Sequence, residues 1–189
     1  MTTEAPELVE LLREDGSVIG THPKATVHTA DTPLHRAFSV HLVAPDGQVM
    51  LTRRALSKVA WPGVWTNACC GHPAPGESDE EAIVRRLLTE LNLPADAVGP
   101  ARVVAPGFRY RAVDASGVVE NEICPVYVAD LHLTPEELPA PNPDEVMDVG
   151  WAAWPALRGA LASMPFAFSP WLVKHLDHPE VGSALGSVG

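Results

Sequence analysis

Apolar and polar residues alternate along several short stretches of the chain, each pair flanking a tight turn. Residues 8–12 and 17–21 flank Glu14-Asp15-Gly16, and residues 37–44 and 48–52 flank Pro45-Asp46-Gly47. Asp-Gly supplies the positive φ that short hairpin loops require, so both pairs are predicted β-hairpins. A third pairing is predicted between residues 108–113 and 118–129 across Asp114-Ala115-Ser116-Gly117, with a further strand over 145–153. The spacing turns helical after Ser78. Ile83, Leu87 and Leu91 fall on one stripe, Glu81 completes a capping box with Ser78, and Pro94 bars continuation beyond Asn92. A second helix is predicted from Ser169, with Pro170 at its first position, and a shorter one over 155–162. Residues 1–7 and the Gly/Ser-rich stretch 179–189 are expected to be flexible. With no repeat or linker, the chain reads as one domain over 1–189. Its class is α+β with α/β layering: a mixed, mostly antiparallel sheet flanked by helices.

Composition narrows the function. A chain of 189 residues buries roughly 70% of its unfolded surface, so it needs neither disulfides nor a structural metal. Its 13 basic and 24 acidic residues give a net charge of -11, which argues against nucleic acid and anionic membranes as partners. No stretch approaches the ~20 apolar residues of a membrane span. Glu4, Glu7 and Glu10 interrupt the first apolar run, so no secretory leader is expected. Three cysteines, two of them adjacent, form no disulfide framework and suit a reducing cytoplasm. The 19 prolines, spread among 46% hydrophobic residues, mark turns and not disorder.

Several residues carry candidate chemistry. Glu120 and Glu122, two apart on a strand, project from one face. Like charges that close leave one carboxyl protonated unless a cation lies between them, while the commoner reading is a solvated face of an edge strand. His28 and His35, seven apart, align only if the segment between them is helical, which Pro33 opposes; a lone histidine is more often a surface or hydrogen-bonded core residue. Together with His72 and the two glutamates they form a donor set suited to Mg, Mn, Zn or Fe. In Trp61-Pro-Gly-Val-Trp65-Thr-Asn-Ala-Cys69-Cys70-Gly71-His72-Pro73, Gly71 permits close backbone approach to a ligand, and the cysteines are either reactive or a buried inert pair. Gly71, Glu77, Arg85, Leu87, Glu90 and Leu93 follow part of the Nudix box, a loop and helix that bind metal and diphosphate. Arg86, Thr89 and Asn92 stand where that box has Glu, Glu and Gly, so its carboxylate cluster for hydrolysis is lost. Asn92 retains the ability to adopt the left-handed turn that the glycine provides. For Arg86 and Glu90 the alternative is an ordinary charged pair four apart on a helix.

Six blocks in order resemble type I isopentenyl-diphosphate delta-isomerase. They are Thr-Arg-Arg-Ala-Leu-Ser-Lys (52–58), Trp-Pro-Gly-Val-Trp-Thr-Asn (61–67), Cys-Gly-His-Pro (70–73), Phe-Arg-Tyr-Arg-Ala (108–112), Glu-Asn-Glu-Ile-Cys-Pro (120–125) and Phe-Ser-Pro-Trp (168–171). The resemblance implies a Nudix-like fold that isomerises instead of hydrolysing, exchanging isopentenyl and dimethylallyl diphosphate. It implies Cys70 and Glu122 as the catalytic pair, assisted by Tyr110, and a divalent metal (Mn2+, Zn2+ or Mg2+) on His28, His35, His72, Glu120 and Glu122. It further implies Mg2+ on the diphosphate, placed by Glu90 and the Cys70 carbonyl. Lys24, Arg54, Lys58 and Arg86 would bind the diphosphate, and Trp171 would face the hydrocarbon. Register from Gly71-His72-Pro73 selects Cys70 over Cys69. The expected partner is a small prenyl diphosphate, and the expected assembly is a monomer or homodimer. The alternatives are a Nudix hydrolase, whose discriminating feature is an intact Glu pair in the box, and an inactive metal-binding scaffold.

Overall fold

The computed structural model describes residues 6–186; the outermost residues of both expected flexible ends lie outside it. Its strands, in chain order, are β1 (Leu8–Leu12), β2 (Val18–Pro23), β3 (His35–Arg36), β4 (Phe38–Val43), β5 (Gln48–Arg54), β6 (Trp65–Asn67), β7 (Cys69–Gly71), β8 (Arg102–Ala105), β9 (Arg109–Val113), β10 (Val119–Ile123), β11 (Val126–Asp130) and β12 (Val146–Ala153). The helices are α1 (Lys24–Val27), α2 (Asp79–Leu91), α3 (Trp154–Ser163), α4 (Pro170–Lys174) and α5 (Pro179–Gly186).

These strands form two sheets. One runs β2-β1-β3-β10-β9, and the other β12-β5-β4-β11-β8, with β6 on β5 and β7 on β4. Most pairings are antiparallel, but β3 runs parallel to β10 and β4 parallel to β11. These two pairings share one cause. The stretches 35–43 and 119–130 lie side by side and cross together from the first sheet to the second, at Ala37 and at Cys124-Pro125. The crossing is stitched by Ala37 N–H to Ile123 O (2.9 Å) and Ser39 N–H to Pro125 O (3.0 Å). The strand predicted as continuous over 118–129 is therefore two strands, because Pro125 has no N–H for a ladder and bends the chain. The second predicted hairpin closes through one residue pair, Val43 with Val49, before its arms diverge to other neighbours.

Two cores lie on the two faces of the second sheet. On one, α2 buries Ile83, Leu87 and Leu91 against Phe38, Val40 and Leu42, each such side chain contributing roughly 1.5–3 kcal/mol. Its ends are as the sequence predicts. Ser78 accepts from Glu81 N–H in a capping box, and Asn92 closes the helix in the left-handed region at φ 54°. On the other face Trp154, Leu157, Leu161, Trp171, Leu172, Val181 and Leu185 from α3, α4 and α5 cover Val43, Val126 and Val128. Ser169 caps α4 as expected, although that helix is shorter than α3. Residues 179–186, expected to be flexible, instead form α5. Val181 and Leu185 are four apart there and both fully buried, which outweighs the helix-weakening Gly and Ser beside them.

Candidate active site

The corner where the two sheets exchange strands gathers the chemistry. His35 on β3 stands directly beside Glu122 on β10, and Glu122 is paired in turn with Tyr110 on β9. Strand β10 is an inner strand, so the solvated-edge reading of its glutamates is overturned: Glu120 is 6% and Glu122 4% exposed. His28 reaches the same place without a helix. Thr32 Oγ1 accepts Thr29 N–H (2.8 Å) and donates to Thr29 O (3.1 Å), closing a turn before Pro33. Val119 N–H then pins Thr29 O to β10 at 2.8 Å. His72 follows β7, which pairs with β4.

The donor atoms of His28, His35, His72 and Glu122 lie within 4.8 Å of one another. His35 Nε2 is 3.2 Å from His72 Nε2, and Glu122 Oε1 is 3.1 Å from His72 Nε2 and 3.4 Å from His35 Nε2. Glu120 Oε2 lies 3.3 Å from His28 Nε2, on the rim of the cluster. His35 Nδ1 sits 2.9 Å from the Pro33 carbonyl, which can only accept. A neutral His35 thus carries its proton on Nδ1 and turns the Nε2 lone pair into the cluster, as a metal ligand would. His28 Nε2 and His72 Nδ1 are enclosed yet make no hydrogen bond. Two imidazole nitrogens facing each other beside a carboxylate leave lone pairs that protons cannot all satisfy, and a divalent cation fits this set.

Electrostatics follow the geometry. Burial raises the pKa of Glu120, and the charge on Glu122 raises it further. Burial also pushes Glu122 up, but hydrogen bonds from His35 and His72 outweigh it and hold this carboxyl low. The two carboxyls are thus pushed apart, Glu120 toward holding its proton and Glu122 toward ionisation. Burial pushes the His72 imidazole down to about 4, only partly offset by Glu122. For His35 burial acts downward too, yet Glu122 prevails and the net direction is up. Tyr110 donates its O–H to Glu122 Oε2 at 2.9 Å; burial, then the Glu122 charge, hold its proton firmly.

A cleft of about 420 Å³ opens onto this cluster. His28, His72, Glu120, Glu122 and Tyr110 line one part of it, Cys70 and Trp171 another, and Lys24, Arg54, Lys58 and Arg86 its basic side. Successive residues of β7 face opposite ways, so Cys69 packs into the α2 core and Cys70 borders the other core and the cleft. Burial raises the Cys70 thiol to about 12. Gly71 lines the cleft and has a packing role as well: a Cβ there would lie 2.9 Å from Arg86 Cγ and 3.1 Å from a Phe38 ring carbon, so the glycine lets α2 approach β7. The Trp171 ring meets Trp61 edge-on and Tyr110 at a tilt, both with centroids 5.6 Å apart, and Arg54 Cζ lies 5.4 Å from its centre.

Protein groups already hold the four cations. Lys24 bonds Glu7 (2.7 Å), Lys58 bonds Glu145, and Arg86 bonds Glu90 (3.0 Å) and Glu145 (3.3 Å). Arg54 bonds the Ala60 (2.8 Å) and Trp61 (3.1 Å) carbonyls. Glu90 does not line the main cleft. It borders a neighbouring cavity of about 20 Å³ with Cys70, Lys58 and Glu145. Arg86 thus replaces a box carboxylate with a buried cation, and Arg86 and Glu90 are more than an exposed helix-surface pair. Sequence reasoning missed Glu145, Ser39 and Asn67. Glu145 touches partners far away in sequence, Ser39 belongs to none of the six blocks, and Asn67, though inside the 61–67 block, has no role given to it there; only the strand pairing reveals their neighbours.

The chain matches the Nudix domain family over residues 33–172. It is 50% identical over 183 residues to an isopentenyl-diphosphate delta-isomerase of Corynebacterium efficiens, covering 97% of this chain and 95% of that one. It is 56% identical over 174 residues to the enzyme of that name from Leifsonia xyli, covering 92% and 91%. A crystal structure from Deinococcus radiodurans shares the fold with a TM-score of 0.69 at 22% identity, covering 90% of this chain and 98% of that chain. A Nudix hydrolase from M. smegmatis follows at TM-score 0.55 and 19% identity, covering 93% and 94%. The chain belongs to the isopentenyl-diphosphate delta-isomerase family, built on a Nudix fold.

Proposed function

We propose that this protein interconverts isopentenyl diphosphate and dimethylallyl diphosphate by a 1,3-allylic proton shift, as a step of isoprenoid biosynthesis. The observation that carries this reading is the lining of one cleft by a thiol, a tyrosine-bonded glutamate, an indole ring and four cations. Two of the three box positions that differ replace carboxylates of the hydrolytic box by Arg86 and Thr89, which cannot do their work.

An unactivated alkene is a poor base, so the acid must be strong and the tertiary cation that forms must be kept from water. Lys24, Arg54, Lys58 and Arg86 bind the diphosphate, and its charge replaces part of their bonding to Glu7 and Glu145. Tyr110 and Glu122, joined by the 2.9 Å hydrogen bond, hold the proton delivered to the terminal alkene carbon. Cys70, as the thiolate, takes the proton from carbon 2 and becomes the thiol, so each turnover moves one proton from the Tyr110–Glu122 pair to the sulfur, and exchange with solvent restores both groups. Trp171, flanked by Trp61 and Tyr110, presents a ring face to the developing positive charge and excludes water from it. When bound, a divalent cation (Mn2+, Zn2+ or Mg2+) on His28, His35, His72, Glu120 and Glu122 would supply Lewis acidity that strengthens the Glu122 acid, and Mg2+ beside Glu90 and the Cys70 carbonyl would neutralise diphosphate charge. Three free thiols, Cys69, Cys70 and Cys124, support a reducing cytoplasm as the compartment of this reaction.

The test is product analysis. The protein incubated with isopentenyl diphosphate, Mg2+ and Mn2+ is expected to yield dimethylallyl diphosphate by proton NMR, without release of phosphate. Release of orthophosphate or of isopentenyl monophosphate would replace this reading with hydrolysis.

A further inference from the structure

Behind Cys70 lies a hydrogen-bonded network that the mechanism above does not use. Ser39, Asn67 and Ser169 are 0% exposed and Thr66 is 4% exposed. The Asn67 amide donates to two backbone carbonyls, Val40 O (2.9 Å) and Cys69 O (2.8 Å). Carbonyls only accept, so the Asn67 nitrogen must face them and Oδ1 must face the other way. Oδ1 lies 3.3 Å from Cys70 Sγ and 3.1 Å from Thr66 Oγ1. An amide oxygen only accepts as well, so both neighbours donate to it.

The remaining hydrogens then have one arrangement. The Thr66 hydroxyl hydrogen goes to Asn67, so Thr66 Oγ1 accepts from Trp171 Nε1–H (2.9 Å) and from the Ser169 hydroxyl (2.8 Å). Ser169 Oγ in turn accepts Leu172 N–H (3.4 Å). The Cys70 hydrogen goes to Asn67, so at 3.3 Å the Ser39 hydroxyl donates to sulfur. Trp171 and Cys70, which stand on different elements, are thereby tied to the same amide oxygen.

We propose that Ser39 and Asn67 are positioning residues for Cys70: Asn67 accepts the thiol hydrogen and draws it out of the cleft, while Ser39 donates to the sulfur from behind. The sulfur then has a partner both with and without its hydrogen. The same amide oxygen, through Thr66, sets the position of the Trp171 ring relative to the sulfur. This inference rests on the reading of Cys70 as a catalytic group.

Ser39→Ala is the clean perturbation, because among the described residues Cys70 is the one side-chain partner of the Ser39 hydroxyl and a methyl takes its place without overfilling the core. Removing one hydrogen bond to a charge-bearing group is expected to lower kcat roughly tenfold with KM within about twofold, because the contact is to the sulfur and not to the diphosphate. An unchanged kcat, or a loss confined to KM, overturns the proposal. The second measurement uses unmutated protein: the infrared S–H band that disappears in Cys70→Ala is expected at the lowered frequency of a hydrogen-bonded thiol, moving part of the way back in Ser39→Ala. A band at the free-thiol position overturns the proposal without any kinetic measurement. The two readings fail separately. A fully active Cys70→Ala removes the catalytic role of Cys70, whereas an inactive Cys70→Ala beside an unaffected Ser39→Ala removes only the positioning role.

Discussion

Adjacent cysteines make the sharpest test of the site, because the fold assigns them opposite fates. Cys69 points into the α2 core at 1% exposure, whereas Cys70 borders the cleft. Cys69→Ala removes one buried sulfur atom and leaves a small void, at a cost of about 1–2 kcal/mol. For a domain of this size that lowers Tm by roughly 2–8 °C. The cleft is untouched, so kcat stays within about twofold of the parent. Cys70→Ala leaves the packing nearly intact and removes the group proposed to take the proton from carbon 2. Such groups contribute ~100- to 10,000-fold, so kcat falls by that range while KM changes little. The assay is conversion of isopentenyl diphosphate followed by proton NMR, with thermal unfolding of each variant alongside. An inactive Cys69→Ala together with an active Cys70→Ala would refute the assignment and the strand register on which it stands.

Three further outcomes are expected. Stripping divalent metal with a chelator abolishes turnover, and restoring Mn2+ at about a hundred times its Kd raises Tm by roughly 5–10 °C; an equal rise in His35→Ala would show that the cluster does not hold the ion. Lys24→Gln raises KM for isopentenyl diphosphate roughly 10- to 100-fold by removing one charge-assisted contact, with kcat little changed; steady-state kinetics with an unchanged KM would exclude Lys24 from diphosphate binding. Burial lowers His41 to about 4, while the unfolded imidazole titrates near ~6.5. Below ~6.5 the unfolded chain takes up a proton that the folded chain refuses, so stability from this group is full above that pH and is lost down to about pH 4. The loss is on the order of 3 kcal/mol, and a urea midpoint that stays flat from about pH 7 to 4.5 would contradict it.

The parts of this molecule legible in its sequence are those fixed by neighbours along the chain. Ser78, Glu81 and Asn92 mark both ends of α2 because capping is settled within four residues, and Asp15-Gly16 marks the first hairpin for the same reason. What escaped the sequence is long-range pairing. Nothing near His35 announces that it runs parallel to Glu122, and nothing near Ser39 announces Cys70. Spacing alone made His28 and His35 a helical pair or none; a threonine turn before Pro33 brings them together instead. Residues 179–186 show the opposite failure. Their small residues read as a frayed end, yet burial of Val181 and Leu185 decides the outcome. The family motifs pointed to most of the residues that line the cleft, because they record tertiary neighbours that no local pattern encodes.

Running the reaction in deuterated water tests the central claim most directly. Protonation of the terminal carbon by solvent-exchangeable groups, followed by loss of a proton from carbon 2, predicts dimethylallyl diphosphate carrying deuterium in a methyl group. The same conversion without deuterium in any methyl group would mean that the hydrogen moves within the substrate, and would contradict acid–base roles for Glu122, Tyr110 and Cys70.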